Sequence, residues 1–161
     1  AIHPGNGRIF FNDVGGGSAE EINEVIMPSN YGWPGIEGVR SSQSPPIFYR
    51  DPVFAYGHSG GACSITAGEF YFPQNNQFPS SLVGQYFYAD YCAGWIRRLN
   101  PTAGTTTGFA TGINRPIDIA VDQNGNMYYI ARGGIGGGSE TDNTSSSNGE
   151  VWMIQFTGNG A

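Results

Sequence analysis

The strongest constraint on this chain is a sequence that repeats itself. The segment PGNGRIFFNDVG (Pro4–Gly15) resembles DQNGNMYYIARG (Asp122–Gly133): each has a glycine-centred turn, an aromatic strand, a polar residue or two and a further glycine. An acidic strand start follows each one, EEINEV (Glu20–Val25) and GEVWMI (Gly149–Ile154), and VGQYFYADYCAGWIRRL (Val83–Leu99) is a looser copy. A repeated unit that cannot bury its apolar faces alone must stack on its neighbours. The turn glycines Gly7, Gly84 and Gly125 stand 77 and 41 residues apart. If a unit is about 40 residues, as in propeller blades, those intervals are two units and one. The intervening copy would then fall at SITAGEFY, within Ser64–Phe72. The expectation is an all-β chain of antiparallel four-stranded sheets, about three to four β-propeller blades, forming a single partial domain over residues 1–161.

Local signals agree. Aromatic and β-branched runs bounded by Gly, Pro, Asn and Ser predict strands at Arg8–Asp13, Ile22–Ile26, Phe54–Tyr56, Ser64–Phe72, Gln85–Asp90, Trp95–Leu99, Asp118–Val121, Met127–Ala131 and Glu150–Gln155. These runs alternate only weakly, as expected of sheets buried on both faces. Glycine, at 26 of 161 residues, is scattered between them as tight turns require. Trp33, Trp95 and Trp152 read as packing residues. The segment 133–149 is Gly/Ser-rich and reads as a flexible surface loop, with one weak glycosylation pattern at Asn143-Thr144-Ser145. Three blades would leave open sheet edges. The remaining blades, upstream of Ala1, or a second copy would then be needed to close a ring.

Charge narrows the partners. The seven basic residues are all arginine, and with thirteen acidic residues the net charge is −6. That balance disfavours nucleic acid, which needs clustered cations, and anionic membrane surfaces. No apolar run approaches the length of a membrane span. The two cysteines, Cys63 and Cys92, flank expected strands. They form either a cross-strand disulfide, which would imply an oxidising, secreted or periplasmic setting, or two buried thiols.

The densest chemical candidate is VGGGSAEEINEVIMPSNYGWP, Val14–Pro34. A run of glycines, Gly15–Gly17, can offer backbone carbonyls, and Glu20 and Glu21 add carboxylates, the oxygen donors that calcium takes. The competing reading is a loop with two solvated glutamates.

These segments resemble the soluble quinoprotein sugar dehydrogenases, the glucose/sorbosone dehydrogenase family. The motifs that carry the resemblance are HPGNGRIFFNDVG, EEINEV, NYGWP, YGHSGGACSITAGEFY, GQYFYADYCAGWIRRLNP and NRPIDIAVDQNGNMYYIARG. The resemblance implies a six-bladed propeller that oxidises aldose sugars with pyrroloquinoline quinone (PQQ) and calcium. It implies that Gly15 and Gly16 offer carbonyls to the calcium beside the quinone. Glu21 and the Tyr31 backbone would hold a second calcium, with Glu20 adjacent, and Arg115 would pair with the quinone's carboxylates. The chain also departs from the pattern. Ile117 stands where a second arginine can be, there is no lysine, and the catalytic base and an Arg-Asn-Gln cluster would lie upstream of Ala1. His3 sits in a turn, and His58 reads as a satisfied structural histidine. The expected function is the C-terminal part of a secreted sugar dehydrogenase, inactive alone. The alternative is a non-catalytic propeller stapled by calcium.

Overall fold

The computed structural model describes residues 1–41, 44–134 and 147–158. Among them are ten strands: β1 (Phe10–Asp13), β2 (Ala19–Glu24), β3 (Phe54–Gly57), β4 (Ile65–Phe70), β5 (Tyr86–Asp90), β6 (Trp95–Asn100), β7 (Thr105–Thr111), β8 (Pro116–Val121), β9 (Met127–Ala131) and β10 (Glu150–Ile154). They form three antiparallel sheets in the orders β1-β2-β3, β4-β5-β6-β7 and β8-β9-β10. The chain is therefore all-β, as expected. β7 (TTTGFAT) is the strand the sequence reading missed, because a Thr/Gly run with one aromatic resembles a loop.

The repeat reappears in the structure with one correction. Gly7, Gly84 and Gly125 each precede the equivalent strands β1, β5 and β9, and each adopts a left-handed φ (75°, 80° and 86°) that a glycine takes without strain. The 77-residue interval is thus one sheet, not two units. The connection from β2 to β3, Val25–Val53, lengthens it, and no intervening copy exists among the described residues. The segment Ser64–Phe72 instead contains β4, the first strand of the second sheet. Because β1 matches β5 and β9, the first sheet has the second, third and fourth strand positions. The third sheet has the first three. Ala1–His3 occupy part of the remaining position beside β1: Ala1 and Phe10 exchange two 2.8 Å backbone hydrogen bonds, and His3 N–H donates to Arg8 O.

Two cores hold the sheets together. Phe10 and Ile22 of the first sheet pack against Ile65, Phe70, Tyr86, Tyr88, Trp95 and Leu99 of the second. On the other side, Phe87, Ala89 and Ile96 pack against Ile119, Met127 and Ala131 of the third. Successive residues of a strand point to opposite faces, so β5 sends Tyr86 and Tyr88 one way and Phe87 and Ala89 the other. All five of its residues are buried. This is the physical origin of the weak alternation in the sequence. Polar seams add direction: Asn12 is hydrogen-bonded to both Ala67 O and the Tyr86 hydroxyl, and Thr66 Oγ1 donates to Pro116 O at 2.7 Å.

Two tryptophans correct the expectation of packing. Trp95 is in the core, but Trp33 and Trp152 are 57% and 49% exposed. Most of the expected loop at 133–149, including Asn143-Thr144-Ser145, lies outside the described residues. Among the described residues, no helix is long and apolar enough to cross a membrane.

Candidate functional site

Most of the candidate residues gather on one rim of the stacked sheets; the Tyr31 hydroxyl instead reaches Glu24, at the far end of β2. β1 ends and β2 begins on this rim, with Asp13 opposite Glu21. The N–H of Ile65, at the start of β4, reaches Glu20, and Ile65 lies opposite Asp90 at the end of β5. Thr66 then touches Pro116 at the start of β8, which lies opposite Ala131 at the end of β9. The loops on this rim therefore carry Gly15–Gly17, His58, Cys63, Tyr91, Cys92, Arg115 and Arg132. His3 belongs to the opposite rim, where its ring meets Phe70 and Phe72 at a tilt and its Nδ1 accepts from Gly5 N–H.

The glycine loop is organised by a residue that sequence reasoning missed. The Glu37 carboxylate accepts hydrogen bonds from the N–H groups of Gly16 (2.9 Å), Gly17 (3.4 Å), Ser18 (2.7 Å) and Ala19 (3.3 Å). Successive N–H groups in such a turn form an anion nest, and these donors hold the Glu37 carboxyl below the usual carboxylate range. The available signal was GIEG: Glu37 is the sole acid between Val25 and Arg50.

Beside this loop, Glu21 is 5% exposed and accepts from Gly38 N–H at 2.5 Å and from Asn23 Nδ2 at 3.0 Å. Burial pushes its carboxyl above the usual range, and the nearby charges of Asp13 and Glu37 push in the same direction. Asp13 is raised as well, first by burial and then by Glu37. Asn23 is fully buried, and among the described residues its Oδ1 has no hydrogen-bond partner. A buried carboxylate, an orphaned amide oxygen and two further carboxylates nearby are the chemistry a hard cation relieves. The donors at Glu21 and Asn23 thus fit calcium. Among the described residues no three His, Cys, Asp or Glu side chains converge on one point, so carbonyl oxygens would have to complete any such site.

Glu20 does not join this group. It follows the opposite face of β2, is fully buried, and accepts from Ile65 N–H at 2.8 Å while pairing with His58 Nε2 at 2.7 Å. Tyr31 directs its hydroxyl to Glu24 O at 2.7 Å, and its ring meets Phe11 edge-on. Gly15 and Gly16 are close to Glu37, with the loop's N–H groups turned toward its carboxylate.

Asp90 locks the centre of the rim. Its fully buried carboxylate accepts from the N–H groups of Cys63, Ser64, Cys92 and Ala93 and from the Tyr56 hydroxyl. Cys63 and Cys92 are disulfide-bonded, with Cα atoms 5.6 Å apart. This settles the alternative the sequence left open.

Arg115 closes the rim on the third sheet. It is 5% exposed and has a left-handed backbone, φ 58°, uncommon for a side chain with a Cβ. Its carbonyl accepts from Arg132 N–H at 2.9 Å, Asn114 O accepts from Gly133 N–H at 3.2 Å, and its Nη1 donates to Gly133 O at 2.8 Å. The Arg115 guanidinium lies 5.8 Å from the centre of the Tyr91 ring, while Arg132 Nη1 donates to the Tyr91 hydroxyl at 3.1 Å.

No family model matches the chain. Over 117 residues it is 34% identical to HIPL1 protein of Arabidopsis thaliana, a match covering 62% of this chain and 16% of that protein. A putative oxidoreductase (glucose dehydrogenase) of Thermus thermophilus superposes with a TM-score of 0.63 at 22% identity, covering 95% of this chain and 42% of the other. The PQQ-bound aldose sugar dehydrogenase of Streptomyces coelicolor superposes with a TM-score of 0.61 at 18% identity, covering 96% and 41%. The fold is thus that of part of the soluble glucose and aldose sugar dehydrogenases. The chain spans less than half the length of the proteins it matches.

Proposed function

We propose that this chain forms part of a β-propeller sugar dehydrogenase and that its rim carries part of the cofactor site. The observation that supports this most is positional. The Gly15–Gly17 loop, the buried Glu21 with its orphaned Asn23 oxygen, and Arg115 all stand on one rim, in a fold shared with a PQQ-bound aldose sugar dehydrogenase. When bound, PQQ would supply the two-electron acceptor for oxidation of a sugar hydroxyl, and calcium would polarise it. The chain's own share is binding and positioning. Arg115 is a forked, permanently charged donor suited to carboxylates. Gly15 and Gly16 have no side chains of their own, so their carbonyls would be free to turn toward an ion, with Glu37 and the Trp33 ring bordering the loop. Glu21, with Asn23 and the Tyr31 backbone, would hold a structural calcium, while Glu20 is committed to His58 and Ile65.

Neither histidine is placed to act as the proton-abstracting base. His58 is tied to a buried glutamate and His3 lies on the opposite rim. The isolated chain is therefore expected to bind but not to turn over. The experiment is a dye-reduction assay on the purified 161-residue chain with PQQ, calcium and an aldose, run beside a calcium melting series. Calcium should raise the melting temperature by mass action, Glu21→Ala should abolish the rise, and dye reduction should stay at background. A Glu21→Ala variant that responds to calcium as the wild type does would sink the metal assignment.

A second reading is a non-catalytic propeller stapled by calcium. Ile117, at the position of a possible second cofactor arginine, favours it; it is 40% exposed. In either reading a disulfide suits a secreted or periplasmic protein. The remaining blades or a second copy would cover the open third sheet. A sugar is the substrate if the protein is enzymatic.

A further inference from the structure

We infer that a cavity between the second and third sheets binds a small apolar carboxylate, with Arg98 as its counter-ion. The cavity, of about 340 Å³, is lined by Phe78, Leu82, Phe109, Ala110, Ile154 and Phe156, and among the described residues Arg98 is the one charged residue in its wall. Strand alternation places Arg98 there. Ile96 of β6 packs into the core shared with the third sheet, and Arg98, two positions on, follows the same face, opposite Phe87 on β5 and Thr107 on β7. Phe109 of β7 turns to the same side, with ring centres 4.9 Å from Phe87 and 5.9 Å from Phe78. Leu82, from the short helical turn Ser80–Leu82, and Ile154 of β10 complete the apolar wall. Ile154 lies on the face of β10 opposite Val151 and Met153, so further blades stacked on the third sheet would meet the other face of β10.

Arg98 sets the charge of the ligand. Among the described residues each of the other six arginines has a partner. Arg8 and Arg50 share Glu24, Arg40 lies over the Tyr49 ring and Arg97 over Trp95, Arg115 donates to Gly133 O and Arg132 to the Tyr91 hydroxyl. Arg98 is half-buried, and among the described residues its guanidinium has no hydrogen bond, ion pair or ring contact. A cation drawn partly out of water beside apolar walls is unfavourable unless it is paired. No acidic side chain lines the cavity, so the pairing group has to come from a ligand. The planar guanidinium fork matches a carboxylate bidentately, and a single fork matches a monoanion. The ligand's body has to be apolar, because apart from Arg98 the wall offers aromatic and aliphatic carbon and no polar side chain. The net charge of −6 repels anions at long range, so an anion held here is held by local contacts. These walls do not suit a sugar or a polycarboxylate, and the inference stands apart from the cofactor reading above.

The test is calorimetric titration of the purified chain with octanoate and 4-phenylbutyrate, and with octanol as the uncharged counterpart. At least one acid should bind, and more tightly than octanol. Arg98→Gln should weaken acid binding about tenfold, as loss of one charge-assisted pair predicts, and leave octanol binding as it was. Ala110→Leu, which narrows the cavity, should weaken acid and alcohol alike. Arg40→Gln, on the exposed β2–β3 connection, should change neither. Circular dichroism and the melting temperature verify that each variant is folded, and Arg98→Met decides the matter if Arg98→Gln does not fold. Binding of octanoate alone or of 4-phenylbutyrate alone upholds the site and tells an aliphatic ligand from an aromatic one. The inference is overturned if neither acid binds, if octanol binds as tightly as the acids, or if a folded Arg98 variant binds the acids as the wild type does. It is also overturned if acid binding disappears at protein concentrations where sedimentation shows the chain associated, since a second copy would then be the occupant.

Discussion

Arg8 and Glu24 lie at the end of the first sheet away from the rim, where Nε and Nη2 donate to the two carboxylate oxygens at 2.7 and 2.9 Å. The Arg8 hydrogen bonds hold the Glu24 carboxyl below the usual range. A carboxyl depressed in the folded state contributes stability above its unfolded value, about 4.3, and that contribution is lost as pH falls through the folded value. Glu24→Gln should thus cost about 1 kcal/mol at neutral pH and flatten the loss of stability below about pH 4. Urea melts at neutral and acid pH measure both effects; equal losses at both would refute the pairing argument. Individual side chains also show where a sequence is ambiguous. EEIN presents Glu20 and Glu21 as equals, yet strand alternation sends one to His58 and the other to Gly38.

Strands differ in what their sequences reveal. β5 reads as a strand from its aromatic run, and burial on both faces makes it the least tolerant element. Phe87 is fully buried and meets Phe109 and Tyr71 edge-on. Phe87→Ala should cost about 3–5 kcal/mol, whereas Val151→Ala, on the exposed β10, should stay within about 0.5 kcal/mol. Chemical denaturation of the two variants side by side checks the contrast. β7 went unread because Thr105, Thr107 and Gly108 are exposed and give no apolar period; pairing with β6 makes it a strand.

At the scale of the molecule, the disulfide ties the β3–β4 connection to the β5–β6 turn across a separation of 29 residues. By loop-closure entropy, Cys63→Ser with Cys92→Ser should cost roughly 3.5 kcal/mol, and thermal melts with and without reductant should show the same loss for the wild type. The third sheet presents Ile130, Val151 and Met153 at 36%, 71% and 46% exposure. Exposed apolar side chains and an open edge of this kind promote association. The isolated chain should self-associate in sedimentation experiments, and Val151→Lys with Met153→Lys should restore the monomer; a monomeric wild type at all concentrations would refute this.

Sequence by itself determined the sheets. Turn glycines and aromatic runs act over a few residues, so the repeat, most strands and the cysteines flanking adjacent strands were legible without any tertiary contact. Tertiary structure decided the site. Glu37 comes from a long connection that folds back over β2, Arg132 comes to Arg115 through β8–β9 pairing, and Glu20 parts from Glu21 by the pleat. Trp33 is exposed although its local sequence suits packing. These positions depend on where distant segments meet, and spacing along the chain does not encode that distance in space.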